Sequence, residues 1–410
     1  MSRKIIVAAA QVGAVHKGAE KKETVERLIK LLHEAAEKKV QLVVYPEATL
    51  TTFFPRHFIE DQEELDKYFE HGEDITQSPD VKPLFEEAKA LGIDISIGYA
   101  ERTPESTGYN TSVYYSASAD KIISKYRKVH LPGRVEPFED PNATNQLEKR
   151  YFKPGDLGFK AFRASGLVQD ALKKSASTAN SENTDGKGDP IMGMLICNDR
   201  RWPEAWRVYT LQGAEILMFG YNTGSHMSHL WGSANTMTPA EQEKEALFHS
   251  RLVQQANSYM NACFSISAAR CGVDDGKYDL IAGSSIVSPE GQVLAEAKTK
   301  EDELVVAEID LAECRKGKEK TFDYGRHRRI EAYSLITEQT GVVEPPLLID
   351  LGVDSYLILG RNGYIVQCIG SECDWVHVAK AHAIPKYLDL PAPHWLTCYC
   401  NLHLCSPPHP

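Results

Sequence analysis

The chain has 410 residues, of which 42% are hydrophobic and 25% charged, and its formal net charge is −11. That is enough apolar material for a full buried core, on a length suited to one large α/β domain or about two or three ordinary ones, and it excludes wholesale disorder and fibrous structure. An acidic balance without a basic tract argues against nucleic acid and anionic membrane surfaces as partners.

Residues 5–12 form a short apolar run after Arg3 and Lys4. It is too short for the hydrophobic region of a signal peptide and suits a buried strand. No run approaches the roughly 18 apolar residues a membrane-spanning helix requires. The expectation is therefore a cytoplasmic protein with no membrane partner, and the N-x-Ser/Thr sequons at Asn110 and Asn142 read as chance. Val25, Leu28, Ile29, Leu32, Ala35 and Ala36 recur at helical spacing over residues 21–38. A strand over 41–45 ends at Pro46-Glu47, a helix over 81–91 closes at Gly92, and Ile93, Ile95, Ile97 and Tyr99 alternate as a strand. Strands follow at 110–116 and 121–129, then at 191–196, running directly into Cys197. Pro203 opens a helix towards Gly213, a strand spans 215–219, and a long helix spans 241–261. Strands at 263–269, 280–288, 292–297 and 304–309 complete the pattern, with Pro289-Glu290-Gly291 as a hairpin turn. Helices flanking many strands imply a layered α/β architecture.

Two stretches differ in composition. A Ser/Asn/Gly/Lys-rich segment within 170–190 carries no large apolar residue over 173–189 and reads as a flexible surface insertion in a domain spanning 1–340. From 341 to 410 periodicity decays, prolines cluster, and five of the nine cysteines appear (Cys368, Cys373, Cys398, Cys400, Cys405), so this part reads as a poorly ordered extension. His394, Cys398, Cys400, His403 and Cys405 do not follow a standard zinc spacing. The remaining cysteines, Cys197, Cys263, Cys271 and Cys314, read as core or catalytic thiols rather than a disulfide framework.

Three polar residues stand at the carboxyl ends of separate strands, where sites form in open α/β sheets: Glu47, Lys128 and Cys197. Cys197 lies at a strand-to-helix junction whose free N–H groups favour a thiolate, and it still needs a proton acceptor. A buried carboxyl at Glu47 would serve, and Lys128 would stabilise an oxyanion. Taken singly, each has an ordinary structural account: a core thiol, a solvated Pro-Glu, a solvated Arg-Lys.

The surrounding strings are more specific. Pro46-Glu47, Tyr126-Arg127-Lys128-Val129-His130-Leu131-Pro132 and Cys197-Asn198-Asp199-Arg200-Arg201-Trp202-Pro203-Glu204 resemble the nitrilase (carbon–nitrogen hydrolase) superfamily, with its Glu-Lys-Cys triad in this order. Thr51-Thr52-Phe53-Phe54-Pro55-Arg56, Leu147-Glu148-Lys149-Arg150-Tyr151-Phe152 and Gly220-Tyr221-Asn222-Thr223 are similar to N-carbamoyl-D-amino acid amidohydrolases. The resemblance covers residues 5–335 apart from the insertion. It implies a four-layer α-β-β-α sandwich that assembles as a homodimer or homotetramer. It also implies hydrolysis of the carbamoyl C–N bond of a small N-carbamoyl-D-amino acid through a Cys thioester, without metal or cofactor. By position, Cys197 would be the nucleophile, Glu47 the general base, Lys128 the oxyanion stabiliser and Glu148 a second carboxylate orienting Lys128. Arg200 and Arg201 would hold the substrate carboxylate, with Asn198, His130 and Asn222 as further pocket residues. The chain departs from those relatives at Ala48-Thr49-Leu50, where Leu-Ala-Leu is usual, and at Gln146, where His is common. The latter removes a titratable pocket donor. Two alternatives stand beside this reading: a β-ureidopropionase-like amidase for another N-carbamoyl compound or amide, and a non-catalytic scaffold of the same fold.

Overall fold

The computed structural model describes residues 3–140, 143–168, 188–226 and 237–345, and four strand segments between 347 and 374. The insertion at 170–190 falls almost wholly outside the described residues, as do Asn142 and the cysteines and histidines from 394 onwards. By contact the chain divides into Met1–Arg328 and Arg329–Pro410.

In the first unit the strands are β1 (Lys4–Gln11), β2 (Leu42–Val44), β3 (Glu70–His71), β4 (Asp94–Arg102), β5 (Gly108–Ser116) and β6 (Lys121–Arg127), then β7 (Phe162–Arg163), β8 (Ile191–Ile196), β9 (Ile216–Tyr221) and β10 (Phe264–Ala269). They continue as β11 (Cys271–Asp274), β12 (Tyr278–Ile281), β13 (Ser285–Val287), β14 (Val293–Glu296) and β15 (Glu303–Asp310). One sheet runs β15-β1-β2-β4-β5-β6 with β3 on β4, and a second runs β14-β13-β10-β9-β8-β7. The centres are parallel, with Val7 opposite Leu42 and Met218 opposite both Met194 and Ile266.

Side-chain alternation along β1 shows how the layers form. Val7 and Ala9 join Val44 and Tyr114 against Met194, Met218 and Ile266 of the second sheet. Ala8 and Ala10 face the other way, packing with Val43, Ile95 and Val113 against Val25, Leu28, Leu32, Leu84 and Phe85 of the helices Lys21–Glu37 and Lys82–Leu91. On the outside of the second sheet, Trp206 and Tyr209 of helix Pro203–Leu211 are buried, and Tyr209 Oη donates to Met194 O at 2.7 Å. Helix Pro239–Asn261 begins with a capping box of Thr238 and Glu241 and buries polar residues. Gln254 Oε1 accepts from Ser267 Oγ and Ser285 Oγ, and Ser258 Oγ donates to Ser265 Oγ. The order is helix, sheet, sheet, helix.

The strand expected over 280–288 is broken. Ala282 and Gly283 take φ of 56° and 81°, and the two halves pair differently, β12 with β11 and β13 with β10. In the second unit the backbone of Leu347–Asp350, Ser355–Leu359, Ile365–Ile369 and Glu372–Asp374 forms an antiparallel meander, where the sequence suggested no element. No helix among the described residues is long and apolar enough to cross a membrane.

Candidate active site

Glu47 follows β2 in a turn wedged between the two sheets. A Cβ on Gly98 of β4 would come within 2.6 Å of Pro46 O and 2.8 Å of Glu47 Cα, and one on Gly220 of β9 would overlap Pro46 C and Glu47 N. Only glycine lets both strands close on this turn. Gly98 N donates to Pro46 O at 3.2 Å and Thr49 N to Gly98 O at 2.9 Å, locking the turn to β4. The Glu47 carboxylate is then held from three sides. Oε1 accepts from Lys128 Nζ at 2.7 Å and Asn110 Nδ2 at 2.8 Å, and Oε2 from Asn222 N at 3.0 Å.

Lys128 extends β6 by one residue, its N–H donating to Asn110 O at 2.8 Å. Its ammonium also meets Glu148 Oε2 at 2.6 Å. Glu148 opens the short helix Glu148–Tyr151, which is seated by an apolar cluster including Phe54, Phe69, Leu147, Tyr151 and Phe152. Glu47, Lys128 and Glu148 are all fully buried, two carboxylates around one ammonium. Burial, the largest influence, lowers the Lys128 pKa, but Cys197, Glu148 and Glu47 together outweigh it and the net direction is up. Burial pushes Glu148 up to about 7, against the pull of Lys128. Buried ion clusters are a poor source of stability and a common mark of a functional site.

Cys197 ends β8 and starts the 3-10 turn Cys197–Arg201 with φ 48°, a left-handed conformation that a non-glycine residue adopts only when its surroundings impose it. Burial pushes its thiol pKa up, Glu47 adds to this, and Lys128 and Arg200 pull it back, so the sulfur lies within the field of all the groups just described. A thiol whose pKa is raised needs a base to take its proton, and Glu47 is the charge that acts on it most strongly.

The remaining expected residues separate. Arg201 is exposed by surface area, although protein crowded around its guanidinium and the charge of Arg200 lower its pKa. Arg200, expected beside it at a substrate carboxylate, is instead fully buried and engaged within the protein. Asn222 was expected to donate into the pocket. Its Nδ2 instead donates to Glu47 O at 2.6 Å, and its Oδ1 is buried without a hydrogen-bond partner among the described residues. Asn198 Nδ2 donates to His130 O at 3.2 Å. The His130 ring stacks on Trp202 with centroids 4.7 Å apart, and its Nδ1 lies 2.7 Å from Asp199 Oδ1.

Sequence reasoning passed over three residues here. Asp199 accepts from His130 N, Tyr126 Oη and Ile196 N, tying the turn after β6 to the turn after β8. Arg56 is buried and donates to Asn222 O at 2.9 Å. Asn110, discounted as a chance sequon, is fully buried on Glu47. Its place opposite Lys128 in a strand pair was the one available signal. No group of three or more His, Cys, Asp or Glu among the described residues is placed to hold a metal.

A sandwich of this layering, with a buried acid–ammonium–acid cluster and a strained cysteine at its strand ends, has the nitrilase-superfamily architecture. The chain belongs to the carbon–nitrogen hydrolase family, whose model matches residues 6–319, and is thus a hydrolase of carbon–nitrogen bonds other than peptide bonds. It is similar to N-carbamoylputrescine amidase of Arabidopsis thaliana, 25% identical over 346 residues that span 83% of this chain and 97% of that protein. Similarity to citrullinase of Francisella tularensis is 27% over 322 residues, 77% of this chain and 93% of that one. The crystal structure of a carbon–nitrogen hydrolase from Helicobacter pylori shares the fold, with a TM-score of 0.63 at 24% identity over 82% of this chain and 100% of that one.

Proposed function

We propose that the protein hydrolyses the carbamoyl C–N bond of N-carbamoyl amino acids, with the D-amino acid derivatives as its substrates. The observation that carries this reading is the Glu47–Lys128–Glu148 cluster with Cys197 in its field, followed in the same turn by Arg201, whose side chain has no ion pair among the described residues. The thiol of Cys197 gives its proton to Glu47 as the sulfur attacks the ureido carbonyl. The oxyanion formed is met by the Lys128 ammonium and by N–H groups of the Cys197–Arg201 turn, which as a helical start has free donors. Glu47 returns the proton to the leaving nitrogen, the free amino acid departs, and a carbamoyl thioester remains. Water, deprotonated by Glu47, attacks the thioester carbon, the C–S bond breaks as Glu47 returns that proton to the sulfur, and the carbamate released breaks down to carbon dioxide and ammonia. The Arg201 fork takes the substrate carboxylate. N-carbamoylputrescine and citrulline, for which two relatives are named, are both ureido compounds, which supports the carbamoyl group as the cleaved unit. The D assignment rests on the residue strings around Phe53, Glu148 and Asn222.

Ammonia release from N-carbamoyl-D-, N-carbamoyl-L- and N-carbamoyl-β-amino acids tests the reading, together with mass spectrometry for a carbamoyl adduct on Cys197. Preference for the β-compound would move the assignment to a β-ureidopropionase-like enzyme. Turnover by a folded Cys197→Ala variant would end the thiol mechanism. We also propose that a second copy of the chain covers the outer face of helix Pro239–Asn261, where Phe248, Leu252, Tyr259 and Met260 are exposed. Sedimentation of Phe248→Glu/Leu252→Glu against the native chain tests this, a shift to monomer being expected.

A further inference from the structure

Arg200 is fully buried and directs its guanidinium to groups inside the protein. Its Nη1 donates to Cys197 O at 2.7 Å, and its Nη2 reaches Thr223 Oγ1 at 3.1 Å and Ser250 Oγ at 3.4 Å. Its guanidinium carbon stands 4.3 Å from the centre of the Tyr221 ring, and that ring is fixed in turn by Tyr221 Oη donating to Ala282 O and Gly283 O at 3.0 Å. Trp206 Nε1 donates to Arg200 O at 2.9 Å, holding the backbone as well. Arg200 therefore reaches from the nucleophile's turn to β9 and to helix Pro239–Asn261 without meeting solvent.

The carbonyl it grips belongs to the residue with φ 48°. A trans peptide is planar, so aiming the Cys197 carbonyl at Arg200 aims the Asn198 N–H the opposite way. One hydrogen bond thus fixes both the strained conformation that presents the sulfur and the direction of the first donor after it. Among the described residues Arg200 Nε finds no acceptor. A fully buried guanidinium with an unsatisfied N–H is a net cost to folding, which is understandable where the charge serves the site.

We infer that Arg200 is a positioning residue for the nucleophile, clamping the Cys197 turn through its carbonyl and leaving the substrate carboxylate to Arg201. The inference rests on the reading of Cys197 as nucleophile and goes beyond it, because it takes Arg200 out of the substrate pocket. Its positive charge also pulls the thiol pKa down from where burial drives it.

Arg200→Met and Arg200→Lys are compared with the native enzyme on two substrates, an N-carbamoyl amino acid and an uncharged N-carbamoyl alkylamine. The alkylation rate of Cys197 by iodoacetamide is followed against pH by peptide mass spectrometry. In Arg200→Met, kcat is expected to fall about 10²-fold on both substrates with KM nearly unchanged, as for a displaced reacting group. The alkylation profile should move to higher pH, and Arg200→Lys, which keeps the charge, should recover part of that shift. A rise in KM confined to the carboxylate substrate, with native alkylation, would overturn the inference. Should Arg200→Met not fold, Thr223→Val and Ser250→Ala remove only its anchors. Each should lower kcat on both substrates about two- to tenfold, and native kcat with native alkylation in both would likewise overturn it. Alkylation requires no substrate, so lack of turnover by the native enzyme would count against the proposed substrate and not against the clamp.

Discussion

Replacing Gln146 with leucine takes one of two donors from Glu148. In the native site Gln146 Nε2 lies 3.1 Å from Glu148 Oε1 and Lys128 Nζ lies 2.6 Å from Oε2. Both are donors, so both favour the ionised carboxyl, while burial pushes its pKa up to about 7. A hydrogen bond to a charged group is worth about 1.5–3 kcal/mol. Gln146 is half-buried and its bond is not short, so the lower end applies, and about 1.4 kcal/mol corresponds to roughly one pKa unit. The sign is fixed by the geometry: losing a donor to the ionised form raises the pKa further, by about one unit. On the acid side of the limb the ionised fraction then falls by up to about tenfold, taking kcat/KM with it, and the loss closes at alkaline pH where the carboxyl is ionised in both enzymes. Initial rates of ammonia release from about pH 5.5 to 9.5 measure the displacement of the acid limb directly. An equal loss at every pH, or an unmoved limb, would refute the claim that Glu148 works as a carboxylate held by Gln146.

Asp199→Asn puts an amide where one carboxylate accepts from His130 N, His130 Nδ1, Tyr126 Oη and Ile196 N. Urea unfolding should show a loss of about 3 kcal/mol or more, whereas a native midpoint would mean that these bonds do not hold the two turns together. Gly220→Ala drives a methyl into the backbone of Pro46 and Glu47 and should lower kcat at least about 10²-fold. Gly158→Ala meets open space at φ 68° and should change stability alone, so equal activity in the two variants would contradict the wedge. A chain ended after Gln339 retains every candidate site residue and the family match to residue 319. It should release ammonia within about twofold of the full chain, and loss of folding would show that the extension supports the first unit.

How far the fold can be read in advance follows from what periodicity encodes. The helices Lys21–Glu37 and Lys82–Leu91 are amphipathic and end at a polar run or at a left-handed Gly92, all visible in sequence. Helix Pro239–Asn261 is different, because its buried face is Gln242, Ser250, Gln254 and Ser258 and its exposed face holds Phe248 and Leu252. Hydrophobic spacing finds that helix but points its apolar side inward, since the pattern cannot show that serines beneath it offer hydrogen bonds. The break at 282–284 escaped for a similar reason. Ala282 in a left-handed conformation carries no local signal, whereas Gly283 beside it does.

The triad positions stand out because each closely follows the end of a strand, two of the three strands being fully buried, and the chemistry of a strand end is local. What surrounds them is not. Asn110 lies in mid-strand, and its importance comes from the register that sets it beside Lys128. Arg200 and Arg201 are adjacent in sequence and chemically identical, so their residue types give both to the substrate. The turn that begins at Cys197 points one of them inward, onto a carbonyl and an aromatic ring, and leaves the other at the surface. Two neighbouring guanidinium groups on one side of so small a turn would repel each other and compete for one carboxylate. Engaging Arg200 with the nucleophile's backbone removes that conflict and, on the proposed reading, leaves Arg201 for the substrate.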